Sequence, residues 1–149
     1  MAAASADRFS LTYDPTHYLL IGHWLSGQDD QALYPSYQQL LAAAKAHDNC
    51  RYWLLDMQQR AWHSASFTQW YTDLLANLVV RELGAPVFVA YVAAEHHRSE
   101  IDSVATQAML RQTAQVEFYP YFLNNESSAR DWLVYHQTHP APLLAPKAR

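Results

Sequence analysis

Apolar and polar residues alternate at the start of the chain, where Ser10 and Thr12 separate Phe9, Leu11 and Tyr13. That period of two predicts a half-exposed strand. Asp14-Pro15-Thr16 signals a turn. The mostly apolar run HYLLIGHWL, residues 17–25, then predicts a second strand, antiparallel to the first. Gly27 to Asp30 punctuate the chain, and over 31–47 the period changes. Leu33, Tyr37, Leu40, Leu41 and Ala44 recur at helical spacing, and Asp48-Asn49 close that helix. RYWLLDM, residues 51–57, is a short apolar run and reads as a buried strand. The helix after it has the strongest pattern, with Phe67, Trp70, Tyr71, Leu74, Leu75, Leu78 and Val79 at steps of three and four. Ser66 and Gln69 form a capping-box signature at its start. Gly84 followed by Pro86 ends it.

VFVAYVAA, residues 87–94, is apolar throughout, as a central strand covered on both faces requires. Ser99 and Asp102 open a further helix carrying Ile101, Val104, Ala105 and Ala108. QVEFYPYF, residues 115–122, predicts the last strand. Pro120 cannot donate to a ladder and places that strand at an edge. Ser127 or Ser128 is the expected cap of a final helix with Ala129, Trp132 and Leu133 inward.

The order β-β-α-β-α-β-α-β-α implies an α/β domain over 9–138. It has a mostly parallel five-stranded sheet, right-handed crossovers and helices packed on the sheet. Residues 1–8 and the proline-bearing 139–149 read as loose tails.

Composition narrows the function classes. A chain of 149 residues suits one domain, and at that size it needs neither disulfide nor metal to hold a core. The net charge of −4 argues against a nucleic-acid partner, which calls for a basic face. Cys50 is the single cysteine, so neither an internal disulfide nor a cysteine-rich zinc site is available. MAAASADR lacks the basic start and apolar run of a signal peptide, and no run approaches 18 apolar residues. A cytoplasmic location without a transmembrane segment is the expectation. Asn125-Glu126-Ser127 matches a glycosylation acceptor, which without a secretion signal is read as accidental.

Four local patterns resemble the SpoIIAA-like family, relatives of the STAS domain, the fold of anti-sigma-factor antagonists. They are the opening hairpin, the LLDM strand end, the tryptophan-bearing helix after it, and the closing SSARDWL helix. Together they span residues 9–136. The resemblance implies a single STAS-like domain and a kinship with lipid-binding SEC14-type domains. In phosphorylatable members the corresponding strand leads into Asp-Ser-Ser at a helix start, and the first serine is modified. Counted without gaps from Asp56-Met57, those positions are Ser64-Ala65-Ser66, so Ala65 stands at the modified position. A slip of one residue places Ser64 or Ser66 there, and the preceding acid is missing either way. The resemblance therefore implies binding or regulation without a phosphoserine switch.

Ligands of a parallel sheet bind outside the carboxyl ends of its strands. Those ends carry Trp24 and Ser26, then the segment from Asp56 to His63, then Glu95, His96, His97 and Arg98. A metal site there draws on Asp56, Glu95 and one or two of His63, His96 and His97, although adjacent residues of an extended chain point apart. A hydrolase draws on Ser64 or Ser66, His63 and Asp56, but lacks the G-x-S-x-G elbow. With Gly22, Gly27 and Gly84 as the only glycines, no familiar nucleotide loop can be built. An anion at the helix start near Ser64 is a further option, assisted by Arg60 and Arg98, which are otherwise solvated surface charges. Trp62 lies in a polar loop, where it either meets a partner or folds back over the sheet edge. Tyr34 and Tyr37 belong to the same rim or cover the hairpin.

The expected binding residues are accordingly Asp56, Arg60, Trp62, His63, Ser64, Ser66, Glu95, His96 and Arg98. No catalytic residue, bound metal or cofactor is assigned. The leading expectation is a regulatory module acting through protein contacts, with homodimerisation among the options. A carrier of a small hydrophobic ligand or lipid is the alternative. An enzyme or metal protein using Asp56, His63, Glu95 and His96 is the second alternative.

Overall fold

A computed structural model describes residues 9–25 and 30–139. The expected tails at 1–8 and beyond 139, the turn at 27–29 and Ser26 lie outside the described residues. Five strands form one sheet in sequential order: β1 (Phe9–Asp14), β2 (Leu19–Trp24), β3 (Tyr52–Asp56), β4 (Val87–Val92) and β5 (Phe118–Leu123). β1 and β2 pair antiparallel, and the remaining neighbours pair parallel. In the hairpin, Asp14 Oδ1 accepts the Thr16 N–H at 3.0 Å. Among the described residues β5 pairs only with β4, so Pro120 sits on an edge strand.

The helices are α1 (Asp30–Ala46), α2 (Ala65–Trp70), α3 (Ala76–Leu83), α4 (Arg98–Ile101), α5 (Val104–Ala114) and α6 (Glu126–Thr138). A π turn over Tyr71–Leu75 joins α2 to α3 without a break. Parallel strands laid down in sequential order, with crossovers of one hand, put every crossover helix on the same face. The core divides accordingly. On one side Leu20, Trp24, Trp53, Leu55, Val89 and Tyr91 pack with residues of α1, α2, α3 and α5. On the other, Leu19, Ile21, Tyr52, Leu54, Phe88 and Ala90 meet Ala129 and Leu133 of α6. All of β4 is buried.

Several local expectations are corrected. The helix after β3 is capped by Ser64, whose Oγ accepts the Phe67 N–H at 3.2 Å, while Ser66 is exposed inside the first turn. The π turn adds one residue to the helical repeat, so Leu74 turns outward at 61% exposure and Ala76 is buried. Ser103 caps α5 and sets its phase, so Thr106, Met109 and Thr113 are buried. Val104, Ala105 and Ala108 of the same helix are exposed. Asn125, not Ser127 or Ser128, caps α6, accepting the Ser128 N–H at 2.8 Å. Gly84 ends α3 at φ 99°, a left-handed conformation that a side chain would strain.

Candidate functional site

The loops after β3 and β4 meet at the carboxyl edge of the sheet. Their meeting point is His97, which is 1% exposed. The Ala94 N–H donates to its Nδ1 at 3.1 Å, so the ring proton is on Nε2, which donates to the Arg60 carbonyl at 2.9 Å. Both ring nitrogens are thus used within the protein. Burial lowers the His97 pKa from its ordinary value, and the charges of His96 and Arg60 lower it further.

Arg60, read from sequence as a surface charge, is 3% exposed. Its guanidinium lies over the Trp24 indole, 4.6 Å from the ring centroid, and Nη1 donates to the Ala61 carbonyl at 3.1 Å. The indole face attracts the cation and offsets part of its desolvation. No pattern of spacing signals this contact, because the partners come from separate strand ends.

Trp62 is half-buried and folds over the sheet edge. Its ring centroid lies 4.7 Å from that of His63, 5.6 Å from His97 and 5.7 Å from Phe122. It also lines an open cleft of about 390 Å³ with Gln58, Gln59, His96 and Glu100, floored by Arg60 and His97. A tight single turn over Glu95–His97, just before α4, separates the two adjacent histidines, leaving His96 exposed and His97 buried. The cleft therefore takes in Arg60, Trp62 and His96 of the expected residues. Glu95 and Arg98 are exposed on the neighbouring turn, where Arg98 Nη2 donates to Asn124 Oδ1 at 3.4 Å.

His63, Ser64 and Ser66 belong to the start of α2. His63 Nδ1 lies 3.0 Å from the Thr68 hydroxyl, and Ser64 Oγ holds the Phe67 N–H. Asp56 accepts from its own loop, taking the Gln58 N–H at 3.0 Å on Oδ1. These hydrogen bonds set the helix start and the turn, which is the ordinary work of such side chains. Ala65 is the first residue of α2.

Between the sheet and α1 to α3, Tyr91 OH lies 2.5 Å from Tyr37 OH and 2.8 Å from Tyr71 OH. Burial raises all three phenols well above their ordinary pKa and keeps them protonated. Tyr37 is therefore core, not rim, and Tyr34 packs on Trp70 with centroids 4.7 Å apart. The cavity beside these phenols, bounded by Met57, Arg60, Phe67 and Phe122, has about 10 Å³. That is room for about one water molecule.

The proposed metal set of Asp56, His63, Glu95 and His96 does not assemble. Among the described residues, one group of three or more His, Cys, Asp or Glu side chains has its ligand atoms within 4.8 Å of one another: His23, Asp56 and Glu126. His23 and Glu126 were not candidates by sequence. The register that sets His23 beside Asp56, and the α6 start that delivers Glu126, are tertiary facts. No described helix is long and apolar enough to cross a membrane.

No protein-family model and no curated protein sequence matches the chain. It is similar in structure to an uncharacterized protein of the DUF3478 family from Shewanella loihica PV-4, whose crystal structure has a SpoIIAA-like fold. The similarity has a TM-score of 0.50 at 16% identity and covers 84% of this chain and 93% of that one. With its sequential five-stranded sheet, this chain has a SpoIIAA-like fold.

Proposed function

We propose that this domain is a binding module that engages a partner protein through the cleft between the loops after β3 and β4. The observation that carries this reading is the place of Trp62. Its ring is braced by His63, His97 and Phe122 yet remains half-exposed beside Gln58, Gln59, His96 and Glu100. A rigid aromatic anchor surrounded by polar groups is the usual chemistry of an interface hot spot. The His97 bond to Arg60 holds the floor, so little ordering cost accompanies docking.

The carrier reading draws less support. A small-molecule pocket takes about 300–1,000 Å³; between the sheet and its helices, where a carrier would enclose its cargo, the space beside the three tyrosines is about 10 Å³, and the 390 Å³ cleft at the sheet edge is open to solvent. The hydrolase reading is weakened by the hydrogen bonds that engage Ser64 and Asp56 elsewhere.

The test is a photo-crosslinking amino acid placed at Gln59 in the full chain, with a control at exposed Leu74. A discrete protein adduct at position 59, absent at 74 and lost on Trp62→Ala, is the expected result. An adduct that forms equally at both positions, or that ignores Trp62→Ala in a folded chain, would overturn the reading.

A further inference from the structure

We propose that His23, Asp56 and Glu126 form a binding site for a divalent first-row transition ion of the zinc type. The site does not depend on the partner reading, since none of the three lines the cleft.

The ligands come from three elements that the fold fixes independently. His23 and Asp56 face each other in the β2–β3 register, one near the end of each strand. Alternation along both strands puts them on the face covered by α6, since Leu19, Ile21, Tyr52 and Leu54 belong to that core. Glu126 is the first residue of α6, after its Asn125 cap. One nitrogen and two carboxylates thus converge at a rim that is half-buried at each residue. The exposed side leaves room for water to complete a coordination shell.

The spacing also fits ligands of a shared ion. His23 Nε2 and Glu126 Oε1 are 3.6 Å apart. A charge-assisted hydrogen bond brings such atoms to about 2.7–2.9 Å. Two donors bound tetrahedrally at about 2.0–2.1 Å from zinc lie roughly 3.3 Å apart. A small adjustment of side chains whose atoms already lie within 4.8 Å closes the site.

The outer contacts suit the same role. Arg130 Nη2 lies 3.4 Å from Glu126 Oε2, and its Nη1 lies 3.1 Å from Asp14 Oδ2, leaving Glu126 Oε1 toward His23. Gln58 holds Asp56 by its N–H at 3.0 Å and its side-chain amide at 3.4 Å. Such partners orient metal-binding carboxylates. The donor set also selects the ion: imidazole with carboxylate suits zinc, iron or manganese, whereas calcium and magnesium take oxygen alone.

The experiment is calorimetric titration of the full chain, free of any histidine tag, with zinc chloride near neutral pH. One ion per chain is expected. His23→Ala, Asp56→Asn and Glu126→Gln should each weaken binding by about tenfold or more, while His96→Ala, an exposed histidine of the cleft, leaves it unchanged. Cobalt substitution supplies a second readout, a visible absorption band present in the wild type and lost in His23→Ala. Circular dichroism identifies any variant that fails to fold, and Glu126→Gln, the mildest change, then decides. The proposal is overturned if the folded wild type takes up no zinc saturably. It is equally overturned if uptake survives His23→Ala and Glu126→Gln unchanged, or disappears in His96→Ala.

Discussion

His97 and Arg60, 37 residues apart in sequence, are joined by a 2.9 Å hydrogen bond from the imidazole Nε2–H to the backbone carbonyl. With Ala94 donating to Nδ1, one buried ring ties the loop after β3 to the loop after β4. His97→Ala strips a partner from both backbone groups. A loss of about 1–3 kcal/mol in stability is expected, read as the urea midpoint. A change within error would show that the ring does not brace these loops.

Acid should weaken the fold through the same group. Burial lowers the pKa of His97, and also that of His136, which stacks on Phe88 with ring centroids 4.6 Å apart. Above the unfolded value of about 6.5 both rings are neutral in either state, and their contribution is fully present. As the pH falls from there through the lower folded values, the unfolded chain binds protons first and stability is lost. Urea midpoints measured between about pH 8 and pH 5 should therefore fall on the acid side. The double variant His97→Asn, His136→Asn should show a shallower fall; an unchanged slope would place the linkage elsewhere.

The two serines flanking Ala65 separate by role. Ser64→Ala removes the cap on the Phe67 N–H and is expected to cost about 1 kcal/mol. Ser66→Ala, at an exposed position in the first turn, should stay within about 0.5 kcal/mol of wild type. A larger cost at Ser66 than at Ser64 would return the cap to Ser66.

Tyr91 is the hub of the buried phenols, since its hydroxyl meets those of Tyr37 and Tyr71. Tyr91→Phe leaves two buried hydroxyls without their shared partner and is expected to cost about 1–3 kcal/mol. Tyr71→Phe keeps the Tyr37–Tyr91 bond and should cost less. Denaturant curves with unchanged slope would test the order, and the reverse order would contradict the hub assignment.

Gly22 tests the packing of the hairpin on the sheet. A Cβ there would meet Phe9 Cζ at 2.8 Å and Leu55 Cδ2 at 3.0 Å. Gly22→Ala is expected to destabilise by about 1–3 kcal/mol through this crowding. A neutral substitution would mean that the Phe9 ring moves aside freely.

Element order, strand positions and the fully buried β4 followed from the sequence alone, because each rests on local periodicity. Leu33, Tyr37, Leu40 and Ala44 mark the buried face of α1 by spacing, and all are 2% exposed or less. Local hydrogen bonding was harder to read. Ser64 and Ser66 have the same chemistry, and only the backbone direction on leaving β3 selects between them. In the same way the π turn, which rotates Leu74 outward, leaves no mark in a three-and-four spacing.

The edge groups depended on the tertiary structure throughout. Arg60 lies in a loop and reads as a solvated charge, yet Trp24 of β2 covers it. In the sequence Glu126 stands out only within the Asn125-Glu126-Ser127 match, and His23 only within the mostly apolar run of residues 17–25. Parallel register and the return of α6 across the second face bring them to Asp56. Periodicity records which face a residue takes on its own element. Which residues of distant elements share an edge is decided only when the sheet orders its strands and the helices choose their faces.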